Sequence, residues 1–321
     1  MAERVIGQVK TDDGTAVPVV TWRGERPGPT VMIVAGIHGD ELVGTAACGR
    51  LDAKLRAGLA AGTVHLVPSA NPVGLAARTR TVGPDGGDLN RVFPGGEGRT
   101  LADRLAASLW RDLTARLPDA VVDLHADAGN ALPYAIVDRA VDVPSPTRAA
   151  LERRATALAT ATGLTVLHEY PVEVYQRFGL DRSLAGAAMN RARIPAVTLE
   201  LGARRVVDPV AVDTAVTATL GVLHALGLGF EPAPTHPTIL ADGPWRRGSG
   251  PRVGRDGWLT PEVAPGVRVK AKQRIAVVRD LVGEIVEIVT AVDDGVVVSW
   301  VDGGWVSIGQ AVGTFAVQER R

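Results

Sequence analysis

Val31-Met-Ile-Val-Ala-Gly-Ile-His-Gly-Asp-Glu41 is the stretch from which the rest of the chain is read. Val31–Ala35 is a short unbroken apolar run, the pattern of a strand buried on both faces of a parallel sheet. Gly36 and Gly39 interrupt it and leave His38 and Glu41 three residues apart. From Leu42 onward the pattern turns helical, through Cys48, Leu51, Leu55 and Leu59. A His-x-x-Glu therefore sits where a strand hands over to a helix, at the carboxyl end of the strand, where open α/β sheets place their sites. A neutral imidazole and a carboxylate at that spacing can reach one Zn²⁺ at about 2.0–2.2 Å each, with two more positions to fill. Taken alone, the same pair reads equally as a loop or core histidine and an acid in a first helical turn, where the helix dipole favours it.

Outward from this crossing the chain alternates. Val5–Val9 and Ala16–Trp22 flank Asp12-Asp13-Gly14, a turn signal, and predict an opening hairpin. Gly62 is expected to close the helix that starts at Leu42, and Val64–Pro68 to form the next strand before the loop Ser69-Ala70-Asn71-Pro72. Gly74–Gly98 is rich in Gly, Pro, Asp and Arg and has no period; loops of that length inside compact domains are usually functional or disordered. Leu101–Leu117, with leucines four apart, predicts an amphipathic helix. Ala120–Leu124 reads as a buried strand carrying His125 at its end. Ser145-Pro146 reads as an N-cap and first helical residue, opening a helix that Gly163 closes. Val166–Leu167 is a short strand, Arg182–Arg193 a helix, and Ile194–Leu199 a strand delivering Glu200. Asp208-Pro209 starts a last helix that ends near Gly227. Strand and helix in alternation predict an α/β domain, a mostly parallel sheet covered by helices.

At Phe230-Glu-Pro-Ala-Pro-Thr-His-Pro the composition changes, which divides the chain into residues 1–229 and a small all-β domain, residues 230–321. Trp245, Trp258, Trp300 and Trp305 lie in this second part and are expected to pack in its core or along its edges. A weak repeat pairs Val269-Lys-Ala-Lys-Gln273 with Val306-Ser-Ile-Gly-Gln310, like the halves of a biotinyl/lipoyl-type β-sandwich. The hairpin between the halves, Val289-Thr-Ala-Val-Asp-Asp-Gly, lacks the lysine a swinging-arm carrier modifies.

The formal net charge is zero, so no bulk field draws the chain to nucleic acid or to an anionic membrane. A lone cysteine, Cys48, excludes an internal disulfide and a Cys-rich metal site, and its place in an apolar helical pattern predicts a buried, inert thiol. Met1-Ala-Glu-Arg shows no basic start followed by an apolar h-region, and no apolar run reaches the ~18 residues that span a bilayer. These features predict a cytoplasmic soluble protein and leave a homo-oligomer open.

Three strand ends offer converging groups: His38 with Glu41, then His125, then Glu200. Two histidines and a glutamate form a His₂Glu set, the composition of a catalytic zinc site with its fourth position kept for water. Water on zinc approaches a pKa of about 7, and its proton needs a base that can pass it to a leaving amine. Glu200 is well placed for that, since an apolar strand precedes it and Gly202 lets the chain turn away. Each group alone could be a core histidine or a solvated acid, but each follows an apolar strand at the same kind of position. In the long loop, Asp88-Leu-Asn90-Arg91-Val-Phe-Pro-Gly95 sets an amide beside a guanidinium, with Arg80 upstream. An arginine fork matches a carboxylate bidentately, which suggests a substrate with a carboxylate and a scissile carbonyl. Gly83-Pro84-Asp85-Gly86-Gly87 is turn chemistry without phosphate-loop spacing, and no serine nucleophile elbow is present.

Gly36-Ile-His38-Gly-Asp-Glu41, Asn71-Pro-Val-Gly74, Asp88-Leu-Asn-Arg-Val-Phe-Pro-Gly95, Asp123-Leu-His125 and Thr198-Leu-Glu200-Leu-Gly202 occur in the order found in the succinylglutamate desuccinylase/aspartoacylase family, zinc hydrolases related to the carboxypeptidase A fold. The stretch Thr79-Arg80 to Asn90-Arg91 resembles the bacterial subgroup that includes N-acetyl-diaminobutyrate deacetylases. The resemblance implies that His38, Glu41 and His125 hold one Zn²⁺ and that Glu200 is the general base, later the acid. It implies that Arg80 polarises the scissile carbonyl and that Asn90 and Arg91 hold the substrate carboxylate. Arg182-Ser-Leu has the look of the family's second carboxylate-binding arginine but lies farther from Glu200 than in aspartoacylase. The tyrosine aspartoacylase takes from its C-terminal domain has no counterpart, because no tyrosine lies beyond Tyr175. The expected function is a zinc-dependent deacylase acting on a small N-acylated amino acid. The alternatives are a zinc carboxypeptidase for short peptides and a zinc-binding module without turnover.

Overall fold

The computed structural model describes residues 2–11, 14–83, 86–98 and 100–319; parts of two expected turns, at Asp12-Asp13 and Pro84-Asp85, lie outside the described residues. The strands of the first part are β1 (Glu3–Lys10), β2 (Ala16–Arg23), β3 (Arg26–Ala35), β4 (Ala61–Val67), β5 (Ala120–His125), β6 (Tyr134–Val137), β7 (Thr165–His168) and β8 (Ala196–Glu200). Between and after them run α1 (Leu42–Gly58), α2 (Pro72–Ala77), α3 (Leu101–Ala115), α4 (Ser145–Ala161), α5 (Val172–Arg177), α6 (Leu184–Ala187) and α7 (Pro209–Ala225). The fold is a mixed α/β sheet covered by helices, as the alternation predicts.

β3 lies inside the sheet, parallel to β4 on one side and β5 on the other, and β5 is parallel to β8. Val31–Ala35 is accordingly buried on both faces, with no residue more than 3% exposed. Its two sides meet different helices. Met32 and Val34 face Leu109 and Leu113 of α3 and Leu184 of α6, while Gly44 of α1 packs close against Ala35 and Leu124. A Cβ at Gly44 would come within 2.8 Å of Leu124, so this helix can sit on the sheet only with a glycine at that position.

Several local expectations shift. Gly62 does not close α1, which ends at Gly58; it lies inside β4 at φ +71°, against Pro29 of β3, where an added Cβ would meet the Pro29 carbonyl at 2.3 Å. Ser145 is the first residue of α4 and makes no capping hydrogen bond, since Pro144 holds the N-cap place. The segment 182–193 is not one helix: a 3₁₀ turn (Leu180–Arg182) precedes α6, and a π turn (Ala188–Ala192) follows it. Asn190 in that turn accepts from the Val141 N–H at 2.7 Å and donates to the Arg139 carbonyl at 2.8 Å, tertiary bonds that favour the widened turn. The loop from Gly74 to Gly98 carries the end of α2 and a 3₁₀ turn at Leu89–Arg91.

The C-terminal strands are β9 (Trp245–Ser249), β10 (Gly257–Pro261), β11 (Arg268–Val269), β12 (Arg274–Arg279), β13 (Ile285–Thr290), β14 (Gly295–Trp300), β15 (Trp305–Val306) and β16 (Gly313–Gln318). The chain passes residue 230 between α7 and β9, but the sheet does not stop there. β9 pairs in parallel with β7 and antiparallel with β16, so one sheet runs from β1 through the first part and on to β16, β14 and β11. Trp245, buried with Tyr134, Ile136 and Leu167, packs this junction. A second, four-stranded antiparallel sheet, in the order β13-β12-β10-β15, closes the β-sandwich over Ile275, Val278, Trp300 and Phe315. Trp300 is core, whereas Trp258 and Trp305 are half exposed at 53% and 43%. The internal repeat has a structural counterpart: the Lys270 N–H donates to Gln273 Oε1 at 2.9 Å and the Ser307 N–H to Gln310 Oε1 at 3.1 Å, closing both turns alike. Among the described residues, no helix is long and apolar enough to cross a membrane.

Candidate active site

The site is built on the carboxyl ends of β3, β5 and β8. Past Ala35 the chain turns at Gly36, with φ +63°. It is then pinned by the Ala70 and Asn71 N–H groups, which donate to the Ala35 and Gly36 carbonyls at 2.8 and 2.9 Å. Gly39 lies against the backbone of Gly74, where an added Cβ would fall 1.9 Å from the carbonyl carbon; His38 is thus presented from a loop with no room for a side chain beside it. Asn71, fully buried, ties the two arms of the site together. It caps α2 by accepting from the Gly74 N–H and donates to the carbonyls of Ile37 and Thr81.

Glu41 occupies the N-cap of α1 but makes no cap there. Its carboxylate bridges the histidines instead. Oε1 lies 2.8 Å from His38 Nδ1, and Oε2 lies 2.8 Å from His125 Nδ1 and accepts the Ala126 N–H at 3.0 Å. One ligand atom from each of His38, Glu41 and His125 falls within 4.8 Å of the others, and all three residues are buried. The far nitrogen of each ring meets an aspartate. Asp88 Oδ1 is 3.2 Å from His38 Nε2. Asp123 Oδ2 is 3.0 Å from His125 Nε2, an ion-pair contact off the line of a directed hydrogen bond. Carboxylates behind metal-binding imidazoles fix the tautomer and raise basicity. This donor set, two imidazoles and a carboxylate with both outer nitrogens backed, fits a divalent metal ion.

His125 and Glu200 are direct cross-strand partners at the ends of β5 and β8. Glu200 accepts no hydrogen bond among the described residues and lines the same cavity as the cluster. Burial pushes its carboxyl up to about 8; His125 opposes this, while the Asp127 and Glu41 carboxylates add to it.

Arg80 reaches the cluster from the long loop. Its Nε donates to Asp88 Oδ2 at 3.1 Å, and Nη1 lies 3.3 Å from His38 Nδ1 and 3.5 Å from Glu41 Oε1. Burial would raise the Asp88 carboxyl, but His38, Arg80 and Arg91 outweigh it and hold it well below the usual carboxylate range. Asn90 and Arg91 line the cavity too. Much of the Asn90 amide is already engaged, with Oδ1 accepting the Leu184 N–H at 2.8 Å and Nδ2 lying 3.4 Å from His125 Nε2. Arg182 does not join them: it faces a separate cavity with Phe93, Glu97, Asp103 and Arg191. Ser183, its neighbour, turns into the site and caps α6, so the two adjacent side chains point opposite ways.

The structure adds residues that the sequence reading does not single out. Arg204, just past the Glu200-Leu-Gly202 turn, and Arg247, from β9, supply the other guanidinium groups of the cavity, with Asp127, Asp138 and Glu169 as further acids. Arg204 Nε donates to the Asp127 carbonyl at 3.2 Å. Its nearness to Glu200 in the chain was a usable signal. Arg247 had none, because only the β7–β9 pairing brings it here. The whole cavity measures about 350 Å³, at the small end of the range for small-molecule sites.

The catalytic-domain family of succinylglutamate desuccinylases and aspartoacylases matches residues 27–226. An N-alpha-acetyl-L-2,4-diaminobutyric acid deacetylase from Halomonas elongata is 41% identical over 110 residues. That match takes in 34% of this chain and 31% of the relative, so the similarity spans about a third of each. Among solved structures, an aspartoacylase family protein from Mesorhizobium loti superposes with a TM-score of 0.79 at 21% identity, over 100% of this chain and 96% of that one. A metallo-carboxypeptidase from Burkholderia cenocepacia gives 0.53 at 18% identity, over 70% of this chain and 64% of that one, which relates the fold to the carboxypeptidases. With the family match running from β3 to the end of α7, through His38, Glu41, His125 and Glu200, the chain belongs to the succinylglutamate desuccinylase/aspartoacylase family.

Proposed function

We propose that the protein is a zinc-dependent amidohydrolase that removes the acyl group from a small N-acylated amino acid. The observation that carries this reading is the buried His38–Glu41–His125 cluster with Glu200, whose carboxylate accepts no hydrogen bond among the described residues, on the adjoining strand end. Zn²⁺ suits two imidazoles and a carboxylate, and when bound it supplies a Lewis acid and acidifies water. Glu200 takes the proton of the attacking water and returns it to the leaving amine; its raised affinity for a proton suits both halves of that cycle. Arg80, braced by Asp88, faces the carbonyl oxygen and stabilises the charge that develops there. Arg91, with the remaining N–H of Asn90, holds the substrate carboxylate. Arg182 receives no role, since it faces another cavity.

The small size of the cavity, and the Arg247 side chain that β9 places in its wall, favour a small acyl amino acid over an extended peptide. The activity of the Halomonas relative makes acetyl the first acyl group to try. The test is turnover of N-acetyl, N-succinyl and N-formyl amino acids and two dipeptides, before and after chelation, with Glu200→Gln beside the wild type. Chelator-sensitive release of amine from one acyl series, lost by about 10²–10⁴-fold in Glu200→Gln, is the expected result. Cleavage of the dipeptides alone, or near-wild-type turnover by Glu200→Gln, would overturn the reading.

A further inference from the structure

Among the described residues, guanidinium groups from Arg80, Arg91, Arg204 and Arg247 line the cavity. Arg80 is paired with Asp88 at 3.1 Å and Arg247 with Glu169 at 2.7 Å. Arg91 and Arg204 have no ion pair among the described residues; each donates to a backbone carbonyl instead, Arg91 Nη1 to Asn90 at 2.7 Å and Arg204 Nε to Asp127 at 3.2 Å. These two stand at different ends of the cavity. The charges that act most on Arg91 are Asp88, Arg80, Arg247 and Glu169, whereas those around Arg204 are Glu41, Asp127, Glu200 and Asp40. The chain fixes Arg204 there. Glu200 ends β8, Gly202 turns the backbone at φ +70°, and the turn is pinned by the Leu201 N–H on the His125 carbonyl at 3.0 Å and the Arg205 N–H on the Asp40 carbonyl at 2.7 Å. Arg204 is half-buried, and its two terminal nitrogens have no partner among the described residues. Burial opposes its charge, but the surrounding carboxylates outweigh that and keep it cationic.

We infer that Arg204 selects against a free α-ammonium on the acyl side of the scissile carbonyl, so that the site takes neutral acyl groups and rejects peptides. The inference rests on the deacylase reading, which puts the substrate carboxylate at Arg91 and the carbonyl between the His38–Glu41–His125 cluster and Arg80. The acyl remainder then points past Glu200, to the end that Arg204 occupies. An N-acyl amino acid brings a carbon chain to that place. A dipeptide brings an ammonium on the carbon next to the carbonyl, against the guanidinium. Without Arg204, Asp127 and Glu200 would dominate the same end and attract that ammonium. Arg205 is no substitute, because it does not line the cavity and faces Asp40 at 3.8 Å. Arg204 thus supplies the repulsive element that separates two substrates alike in every other respect. Two like charges about 6–10 Å apart, at an effective dielectric near 20, change binding by about 10- to 100-fold.

The test uses an isosteric pair, N-propionyl-alanine and glycyl-alanine, which differ by an ammonium in place of a methyl group. Turnover of both is measured for the wild type, Arg204→Gln and Arg204→Lys, each checked for folding by circular dichroism. Affinities for the same pair are read by calorimetry with Glu200→Gln added to each protein, so that cleavage does not intrude. The wild type is expected to favour the propionyl compound. In Arg204→Gln that ratio should fall by about 10- to 100-fold, mainly through a lower KM and tighter binding of glycyl-alanine. Arg204→Lys keeps the charge without the guanidinium and should hold the ratio within about threefold. If no amide is cleaved but the affinities follow this order, the deacylase reading fails and the selection by Arg204 stands. No preference in the wild type, an unchanged ratio in folded Arg204→Gln, or a ratio lost equally in Arg204→Lys would overturn the inference.

Discussion

Asp123 gives the sharpest test of how the proposed metal ligands are held. It is 1% exposed, and its Oδ2 stands 3.0 Å from His125 Nε2, on the opposite side of the ring from the nitrogen that meets Glu41. Asp123→Asn keeps the volume and removes the charge behind His125. Loss of such an outer partner costs about 10- to 100-fold in metal affinity, equivalent to about 1.4–2.7 kcal/mol. Among the described residues the other group near that nitrogen is Asn90 Nδ2 at 3.4 Å, a donor that cannot accept the Nε2 proton, so the loss should approach the upper end. Asp88 does the same for His38, but its side chain is 24% exposed and shared with Arg80, so Asp88→Asn should cost nearer tenfold. The assay is competition for Zn²⁺ against a chromophoric chelator, with circular dichroism of the metal-free proteins to show that both variants fold. Asp123→Asn within twofold of the wild type, or Asp88→Asn as the costlier change, would refute the reasoning.

Three further outcomes follow from the same structure. Burial, together with Asp127 and Glu41, raises Glu200 towards 8 against the pull of His125, and a bound cation draws it back down. As the base works deprotonated, kcat/KM should rise with pH through a value between 4.5 and 8, and an acid limb below 4.5 would contradict that assignment. His65 lies buried between Thr21 and Arg116; burial first, then the Arg116 charge, lowers its imidazole from 6.5 to about 4. The folded state therefore binds this proton less readily than the unfolded chain, so the stabilisation is complete above pH 6.5 and lost as pH falls towards 4. Urea unfolding at those two limits should show roughly 1–2 kcal/mol of loss after solvent screening, absent in His65→Asn. Arg182→Ala should keep kcat/KM within about threefold of the wild type, because the residue faces a separate cavity; a loss of tenfold or more would return Arg182 to the site.

What the chain disclosed on reading follows from how local each signal is. The apolar run before His38 and the strand ends at His125 and Glu200 are legible because a buried parallel strand leaves an unbroken hydrophobic signature, and the candidate site residue stands at or just past its end. β6 left no such trace, since four residues are too few to show a period, yet its antiparallel insertion between β8 and β7 carries Ile136 and leads to Asp138. Glu169 and Arg247 are 78 positions apart and meet only through the β7–β9 pairing, which no local pattern encodes. Arg182 lies apart from the cluster for the opposite reason. Its Arg-Ser-Leu setting is local and recognisable, but the turn at Ser183 sends consecutive side chains to different cavities. The Pro-rich stretch after Leu228 does mark a change in composition, but hydrogen bonding continues across it through β9, which places Arg247 in the wall of the candidate site.

The central claim is that His38, Glu41 and His125 together hold one divalent ion. Glu41 touches both histidines at 2.8 Å, so it is the ligand whose loss disperses the set. The direct measurement is metal content by mass spectrometry of wild type and Glu41→Ala, purified and dialysed side by side, with circular dichroism to confirm folding. About one equivalent of a divalent metal in the wild type and less than about a tenth in the folded variant is the predicted result. A full equivalent in Glu41→Ala, or none in a wild type supplied with zinc, would contradict the account.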